Sequence, residues 1–180
     1  SSIAGKGKIG NLNIDVLAGY TRIKPMIKDP NKAYAYGLVH GDTIFQNGQE
    51  VIIDQSITYE SSSLDATVLK YRHEHIAKLD IQINHQKNTH GISLKYNSFM
   101  KNIDAIFASE GFSTIVPGIN ESRTVLNNGD LILDYRYSKQ ISENTKVSLI
   151  ANNILNREYQ TRPANMMPPR SISIQWSIKV

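Results

Sequence analysis

The chain ends in a segment that alternates strictly between apolar and polar residues, SISIQWSIKV at 171–180. Successive side chains of a β-strand point to opposite faces, so this alternation predicts a strand with one apolar and one polar face. The apolar positions are Ile172, Ile174, Trp176, Ile178 and Val180. An apolar face of this length is stable only when another apolar surface, protein or lipid, covers it.

Five further segments repeat the alternation, three of them with a single position out of phase: LNIDVLAGYT, LDIQIN, ISLKYN, LILDYRYS and VSLIA. No segment has a sustained helical period. The pattern therefore predicts an all-β chain of antiparallel strands.

Short and long connections alternate between these segments. The short ones, at Gly10-Asn11, 85–91 and 140–145, contain the Gly, Asn and Lys residues common in turns. The long ones cover 24–67 and 103–129, and structureless loops of this length are uncommon inside a compact soluble domain. Short turns at one end of the strands and long loops at the other are typical of an outer-membrane β-barrel.

Tyrosines lie at or near the ends of the apolar faces, at positions 20, 71, 96, 137 and 159. In membrane barrels, girdles of aromatic residues at the headgroup level flank the apolar band. Tyrosine is also favoured in strands of any protein. These positions alone therefore do not separate a membrane barrel from a soluble sheet.

The composition limits the classes of partner. The net charge is +4, from 20 basic and 16 acidic residues, and the basic residues form no run or stripe, so no nucleic-acid partner is predicted. Cysteine is absent, which excludes disulfides and thiolate metal sites. No apolar stretch reaches the roughly 18 residues of a membrane helix. The start, SSIAGKGKIG, has no apolar core of signal-peptide length.

Several motifs, in order along the chain, resemble the barrel of TonB-dependent outer-membrane receptors. KVSLIANNILNREYQTRP resembles that family's penultimate strand and the turn that ends it. Its matching residues are Ala151, Asn153, Leu155, Asn156 and Tyr159, followed by Pro169, Arg170 and the terminal alternating strand. LNIDVLAGYTRIKP resembles an up-strand with a G-Y-T signature, and LKYRHEHIAKLDIQI resembles a down-strand that runs into a periplasmic turn.

The resemblance implies an antiparallel, up-and-down transmembrane β-barrel of about 22 strands around an N-terminal plug. Residues 1–180 would be the C-terminal portion of that barrel domain, with no plug domain. They would supply about its last six strands, at roughly 11–23, 68–86, 91–102, 130–139, 146–160 and 170–180, with residues 1–9 as the tail of the strand before. The smallest membrane barrels have about eight strands. Either the chain is therefore a fragment of a longer polypeptide with missing N-terminal strands, or other chains or unassigned segments complete the sheet.

The resemblance also implies a function and partners. The function is outer-membrane transport in a Gram-negative bacterium: active uptake of a scarce ligand such as a siderophore, a vitamin or an oligosaccharide. Expected partners are outer-membrane lipid, the missing strands and plug domain, TonB through the absent N-terminal part, the outer-membrane assembly machinery and an optional accessory lipoprotein. The residues leave open an alternative, a soluble secreted antiparallel β-sandwich or barrel that binds glycan or protein through its loops.

The terminal strand has a particular role in this interpretation. Its apolar face is expected to meet lipid, and its end to be recognised during assembly. Barrels of this kind commonly end in an aromatic residue, whereas this chain ends in Val180 and has its aromatic residue, Trp176, on the same face. The terminus is therefore atypical, or further residues follow it.

No catalytic, metal or cofactor site is predicted, and the chain is not expected to be an enzyme. The HEH sequence at 73–75 would place both histidines on one face of a strand and Glu74 on the other, so the three cannot bind one ion. SSSLDA lacks the context of a catalytic serine, and GKGKIG lacks the ending of a phosphate-binding loop.

Ligand contact is assigned to the long loops, because binding residues concentrate on loops carried by a rigid scaffold. The candidates are Tyr34, Tyr36, His40 and Phe45 in the first loop and Phe107 and Phe112 in the second. The alternative is that these aromatic residues pack the loops on themselves, or that the first loop extends the strands as a β-hairpin. The polar strand faces carry mixed charges, which suit a water-filled lumen and a plug but also plain solvent.

Overall fold

The computed structural model describes residues 1–37, 43–52, 55–163 and 165–179. The strands of these residues are β1 (Ser2–Ile9), β2 (Leu12–Arg22), β3 (Ala33–Gly37), β4 (Thr43–Gln46), β5 (Gln49–Ile52), β6 (Gln55–Thr58), β7 (His75–His85), β8 (Asn88–Asn97), β9 (Asp130–Gln140), β10 (Thr145–Asn152), β11 (Gln160–Arg162), β12 (Asn165–Met166) and β13 (Ser171–Ile178). The helical segments are a 3-10 turn at Ala105–Ala108, α1 (Glu110–Ser113) and α2 (Ile119–Val125). Within the described ranges no helix is both long and apolar enough to cross a membrane.

Seven strands form one antiparallel sheet in the order β1-β2-β7-β8-β9-β10-β13. Each pairs with the next strand of the sheet along the chain, so the connectivity is up-and-down. The predicted all-β antiparallel fold is confirmed. The sheet contains one strand more than the six predicted, because the segment expected to be the tail of an earlier strand pairs with β2 along its whole length, from Ser2↔Gly19 to Ile9↔Leu12.

Tight turns join the strands at one end of the sheet. β1 and β2 meet at Gly10-Asn11, where Gly10 has a φ of 57°, a conformation that glycine adopts readily because it has no Cβ. β7 and β8 meet at Gln86-Lys87. The turn predicted over 85–91 is therefore shorter, and β8 already begins at Asn88.

Three strands begin or end well inside their predicted ranges. The strand expected over 91–102 ends at Asn97. The strand expected over 68–86 begins at His75, because Tyr71 has a φ of 59° and its backbone N–H donates to the Asn102 carbonyl instead of a sheet partner. The strand expected over 146–160 ends at Asn152, because the φ of Asn153 is 49°. A left-handed residue cannot continue an extended strand.

The pairing register gives the sheet two faces of opposite character. One row across six strands reads Val16, Ile81, Ile92, Tyr135, Ala151 and Ile172. A row of the opposite parity reads Asp15, Gln82, Gly91, Arg136, Ile150 and Ser173. Because parity is kept where pairing has no register shift, the first row defines an outer, apolar face and the second an inner, polar face.

The chain divides into two compact units. The sheet unit comprises Ser1–Ile23, His73–Phe99 and Arg123–Val180, and the loop unit comprises Lys24–Arg72 and Met100–Ser122. In the loop unit β3 pairs with β6, and β4 and β5 form a hairpin around Asn47-Gly48, whose φ angles are 54° and 79°. The first long loop thus contains strands of its own. They form separate two-stranded sheets, whereas the sequence alternative was a hairpin that extends the strands.

Candidate membrane-facing and ligand-contact surfaces

The outer face is apolar across the sheet and open to its surroundings. Val16 on β2 is 37% exposed, Ile92 on β8 40% and Leu149 on β10 38%. Contiguous exposed apolar surface of this extent marks contact with another protein or with a membrane. The sheet therefore presents a continuous surface that an apolar partner would stabilise.

The terminal strand β13 contributes the most exposed part of this face. Ile172, Ile174, Trp176 and Ile178 are 70%, 76%, 70% and 66% exposed, respectively. They share the parity of Leu149 and Ala151, with which Ile174 and Ile172 pair. Contact of these residues with lipid stays a prediction, and Val180 lies outside the described residues.

Aromatic and histidine residues mark both ends of the outer face. At the end that carries the long loops, the Tyr20 hydroxyl lies 2.7 Å from His75 Nδ1, and the two rings are stacked. At the end that carries the short turns, His90 is opposite Tyr137, with ring centroids 5.0 Å apart. Amphipathic rings at both ends of an apolar band are the arrangement of the interfacial girdles of membrane barrels.

Tyr71 and Tyr159 do not take part in these aromatic ends. Tyr71 belongs to the loop unit, where its hydroxyl donates to the Asp104 carboxylate. Tyr159 lies after the end of β10. Their assignment to the ends of apolar strand faces is wrong, because Tyr71 lies before the start of β7 and Tyr159 lies after the end of β10.

The inner face carries a network of charged and hydroxyl groups. Arg136 Nη2 lies 3.0 Å from Asp80 Oδ2, and the Ser93 hydroxyl also donates to Asp80. Lys6 Nζ lies 3.6 Å from Asp15 Oδ1 on the neighbouring strand. Both cations, Arg136 and Lys6, therefore lie beside a carboxylate of opposite charge. A wall of this kind suits contact with water and polar protein surfaces.

The motif residues after β10 form a hydrogen-bonded turn. Asn153 is 3% exposed, and its side chain accepts from the Arg157 backbone N–H at 2.9 Å and donates to the Pro168 carbonyl at 3.3 Å. The Asn156 side chain accepts from the Arg170 backbone N–H at 3.0 Å. The two asparagines thus connect the end of β10 to the segment that enters β13.

The remaining motif residues have different surroundings. Ala151 pairs with Tyr135 on one side and Ile172 on the other. Leu155 is 53% exposed. The backbone carbonyl of Tyr159 accepts from Met167 at 3.0 Å. Pro169 directly precedes Arg170, whose Nη1 donates to the Ile154 carbonyl at 3.4 Å. The structure therefore brings the motif together as one turn held mainly by Asn153 and Asn156.

Asn102 organises the loop unit. Its side chain is fully buried, accepts from the Asp65 backbone N–H at 3.0 Å and donates to the Val68 carbonyl at 2.6 Å. Both partners lie between β6 and β7, whereas Asn102 follows β8. The two long loops are therefore bound to each other inside one unit.

A charged cluster reinforces the same connection. Lys70 Nζ lies 2.5 Å from Asp104 Oδ1 and 2.7 Å from Ser62 Oγ, and its side chain is 10% exposed. Burial raises the pKa of Asp104, but hydrogen bonds from Lys70 and Tyr71 and the charge of Lys70 outweigh it, so this pKa lies below its usual value. Asp104 therefore stays ionised as the acceptor that holds both loops. The sequence carries no local signal for this cluster, because its members are far apart along the chain.

The candidate ligand-contact residues fall into three groups. Tyr34 is 61% exposed and its hydroxyl donates to Ser62 at 2.9 Å, so it remains available to a ligand. Phe107 and Phe112 are half-buried and packed edge to face, with ring centroids 5.0 Å apart, which is the packing alternative. Tyr36 and Phe45 lie in β3 and β4, and His40 lies outside the described residues. Ligand contact by any of them stays a prediction.

The HEH histidines have separate hydrogen-bond partners. His73 Nδ1 lies 2.6 Å from the Ser98 carbonyl oxygen, and His75 Nδ1 lies 2.7 Å from the Tyr20 hydroxyl. In the described part of the chain, no group of three or more His, Cys, Asp or Glu residues is placed to hold a metal ion.

The fold has a counterpart among solved structures. Over 99% of its length the chain is similar to the crystal structure of the outer membrane transporter YddB from Escherichia coli, with a TM-score of 0.55 and 13% sequence identity. The chain spans 24% of the length of that protein. No family model matches the sequence, and neither does a curated protein sequence. The likeness establishes the fold, which is that of part of an outer-membrane β-barrel.

Proposed function

We propose that this chain forms part of the wall of a transport barrel in the outer membrane of a Gram-negative bacterium. The observation that carries the proposal is the outer face, an exposed apolar surface that continues across seven strands and has aromatic residues at both ends. Lipid is the partner that such a surface fits without a second protein sheet. The similarity to an outer membrane transporter supports the same function.

The finer proposal is that the barrel is a TonB-dependent receptor that takes up a scarce ligand, and that the chain is its C-terminal portion. The inner face, with its charged network, would then contact water and the plug, and the loop unit would contribute to the ligand entrance. The motif residues around Asn153 and Asn156 support this proposal, because they form one defined turn before the last strand. A siderophore, a vitamin and an oligosaccharide are the ligand classes proposed. The chain itself would perform no chemistry.

The partners follow from the same proposal. Strands and a plug that precede this chain would complete the barrel, and TonB would act through that preceding part. The assembly machinery would recognise β13, and an accessory lipoprotein would be an optional cap on the loops. The exposed outer positions of β13 are the feature that supports a role in assembly.

The alternative, a soluble binding module, requires a different environment for the outer face. A soluble sandwich covers its apolar face with a second sheet. In the described residues the strands outside the seven-stranded sheet form only two-stranded pairs, and Ile172 and Ile174 are 70% and 76% exposed. These exposures favour the membrane wall.

Fractionation of the natural polypeptide that carries this chain tests the general proposal. We expect it in the outer-membrane fraction, extracted only by detergent, with faster gel migration before heating than after it. Recovery as a monomer in detergent-free buffer would contradict the membrane wall. For the finer proposal, ligand uptake by cells should stop when TonB is deleted, while ligand binding at the cell surface persists. Uptake that is independent of TonB would leave a barrel but exclude the receptor class.

A further inference from the structure

The outer face carries basic residues but no Asp or Glu. On the seven strands of the sheet, the outer positions occupied by Arg, His or Lys are Arg22, His75, His85, His90 and Lys139. The acidic residues of these strands, Asp15, Asp80, Asp130 and Asp134, all have inner parity. The outer face thus combines an apolar band with basic ends, whereas the inner face has charges of both signs.

Three of the basic residues, His85, His90 and Lys139, lie at the end of the sheet that carries the short turns. Lys139 on β9 is opposite Asn88 on β8 and Val147 on β10, and the next outer pair along β9 is Tyr137 with His90. Cβ atoms of directly opposed residues are about 5 Å apart, so these side chains form one cluster. His85 is the outer residue of β7 opposite Asn88. We call Asn88, His90 and Lys139 the turn-end cluster.

Hydrogen-bond donors dominate the turn-end cluster. The Tyr137 hydroxyl donates to Asn88 Oδ1 at 2.8 Å, which leaves the Asn88 amide N–H₂ as the donor of that side chain. His90 Nδ1 lies 2.7 Å from the Tyr135 hydroxyl, and when that hydroxyl donates, the proton of the neutral ring is on Nε2. Lys139 is exposed and has no ion-pair partner among the described residues. A ligand that only accepts hydrogen bonds and carries negative charge complements this set.

Apolar surface adjoins the cluster directly. Trp176 on β13 is opposite Val147, which is itself opposite Lys139, and Trp176 is 70% exposed. Along the same strands the outer positions then continue as Leu149 and Ile174. A ligand with an anionic head and long apolar tails would place its head on the cluster and its tails along these residues. A free phosphate ion would leave the apolar surface uncovered.

We propose that the turn-end cluster binds the phosphodiester headgroup of an anionic phospholipid, in the membrane leaflet that faces the short turns. The inference rests on the proposed function, since it requires the outer face to meet lipid. Lys139 supplies a full positive charge, and His90 and Asn88 supply further hydrogen-bonding groups around it. The acidic residue of the nearby turn, Glu143, lies beyond the strands and leaves the outer positions themselves basic.

Trp176 provides the measurement, because it is the single tryptophan of the chain and lies on the strand beyond Val147. The natural polypeptide that carries the chain is reconstituted in bilayers that contain brominated phosphatidylglycerol or brominated phosphatidylcholine as the minor component. The difference in fluorescence between the wild type and Trp176→Phe gives the signal of Trp176 alone. We expect half-maximal quenching of this fluorescence at a lower fraction of phosphatidylglycerol than of phosphatidylcholine. Lys139→Gln should reduce this preference for phosphatidylglycerol over phosphatidylcholine about fivefold, which is the effect of one basic residue at an anionic surface.

Lys146→Gln is the matched control, because Lys146 lies near the same end of the sheet on the inner face, opposite Gln140 and Ser177. Lys146→Gln makes the same charge change and should leave the lipid preference intact. Lys139→Arg keeps the positive charge and should also retain the preference. Equal quenching by the two lipids, or an equal loss in Lys146→Gln, would overturn the headgroup site while leaving the membrane wall standing. Quenching by neither lipid would instead contradict the proposed function. Heat-modifiable migration of each variant verifies that it has folded.

Discussion

Arg136 reaches across a whole strand to Asp80. Its Nη2 lies 3.0 Å from Asp80 Oδ2 although the residues belong to β9 and β7, with β8 between them. The β8 residue opposite Arg136 is Gly91, and a Cβ at Gly91 would lie 3.0 Å from Arg136 Nε. The absence of a side chain at Gly91 therefore provides the space through which the guanidinium crosses to the carboxylate.

Gly91→Val should uncouple this ion pair. The valine side chain would displace Arg136, so Asp80→Asn should cost less stability in the Gly91→Val background than in the wild type. The coupling should be about 0.2–1 kcal/mol, because both partners are partly exposed. Urea unfolding in detergent micelles, arranged as a double-mutant cycle, measures it. Gly19→Val is the control, since Gly19 also has inner parity and a Cβ there would meet nothing within 4 Å. An equal cost of Asp80→Asn in both backgrounds would show that Gly91 does not control the contact.

A charge on the outer face of β13 should destabilise the barrel, whereas the same charge one residue later should not. Ile174 has outer parity and Gln175 inner parity, and both are exposed. Lysine on the lipid side of a barrel costs about 2–4 kcal/mol at the bilayer midplane and little near the interface. Ile174→Lys should therefore lower the temperature at which the folded gel band converts to the unfolded one, and Gln175→Lys should leave it almost unchanged. Equal shifts in the two variants would mean that the outer face does not meet lipid.

Removal of the Asn102 side chain should loosen the loop unit and spare the sheet. Asn102→Ala leaves the Asp65 N–H and the Val68 carbonyl without their buried partner, at about 1–3 kcal/mol for each unsatisfied group. Faster hydrogen exchange and proteolysis are expected within 24–72 and 100–122, with unchanged exchange in β7–β10. Asn120→Ala is the control, since the exposed Asn120 makes one longer bond, 3.2 Å to the Ala108 carbonyl. Similar exchange in the two variants would argue against Asn102 as the organiser.

The loop unit should also lose stability in acid through Asp104. Its pKa in the folded protein lies below the usual value, so its contribution is complete above the unfolded pKa of about 3.9 and is lost as pH falls through the folded one. The protection of backbone amides within 24–72 from hydrogen exchange, followed from pH 6 to pH 2, should decrease in acid in the wild type. In Asp104→Asn this protection should already be lower at pH 6, and its further decrease in acid should be smaller. Asp29→Asn, at an exposed aspartate of the same unit, should keep the wild-type profile. If protection in Asp104→Asn depended on pH as it does in the wild type, this carboxylate would be excluded as the origin of the loss in acid.

The sheet was predictable from the sequence where the alternation of side chains was complete. In residues 171–178 every outer position is occupied by an apolar residue. Because the pairing register fixes which residues of neighbouring strands share a face, the same parity then identifies the outer face of the other strands. The residues of β1 do not identify it as a full strand, because Gly5 and Gly7 occupy two of its outer positions and only Ile3 and Ile9 signal the pattern. Its pairing with β2, rather than its own residues, makes it a strand.

The loop unit could not be predicted in the same way. Asn102 binds Asp65 across a separation of 37 residues, and no local pattern links such positions. The late start of the strand predicted over 68–86 has the same origin, because the Tyr71 N–H donates to the Asn102 carbonyl. Periodicity reports faces of strands, whereas contacts between loops depend on single side chains that meet only after the chain has folded.

Asn153 offers the sharpest test of the turn before the last strand, because its backbone and its side chain can be changed separately. Its φ of 49° is left-handed, which costs other residues about 1–2 kcal/mol but not glycine. Asn153→Gly keeps the backbone favourable and removes the side-chain bonds to Arg157 and Pro168, whereas Asn153→Ala loses both.

The expected order of destabilisation is therefore Asn153→Ala, then Asn153→Gly, then Asn152→Ala, whose exposed side chain makes one bond of 3.5 Å to Ser171. The measurement is the midpoint of heat-induced band conversion, together with the yield of folded protein. Because the turn leads directly into β13, the yield should fall along with the midpoint. If Asn153→Gly matched the wild type, the side-chain bonds would contribute nothing and the turn would depend on backbone conformation alone. If both Asn153 variants matched Asn152→Ala, the motif would have no part in holding the last strand.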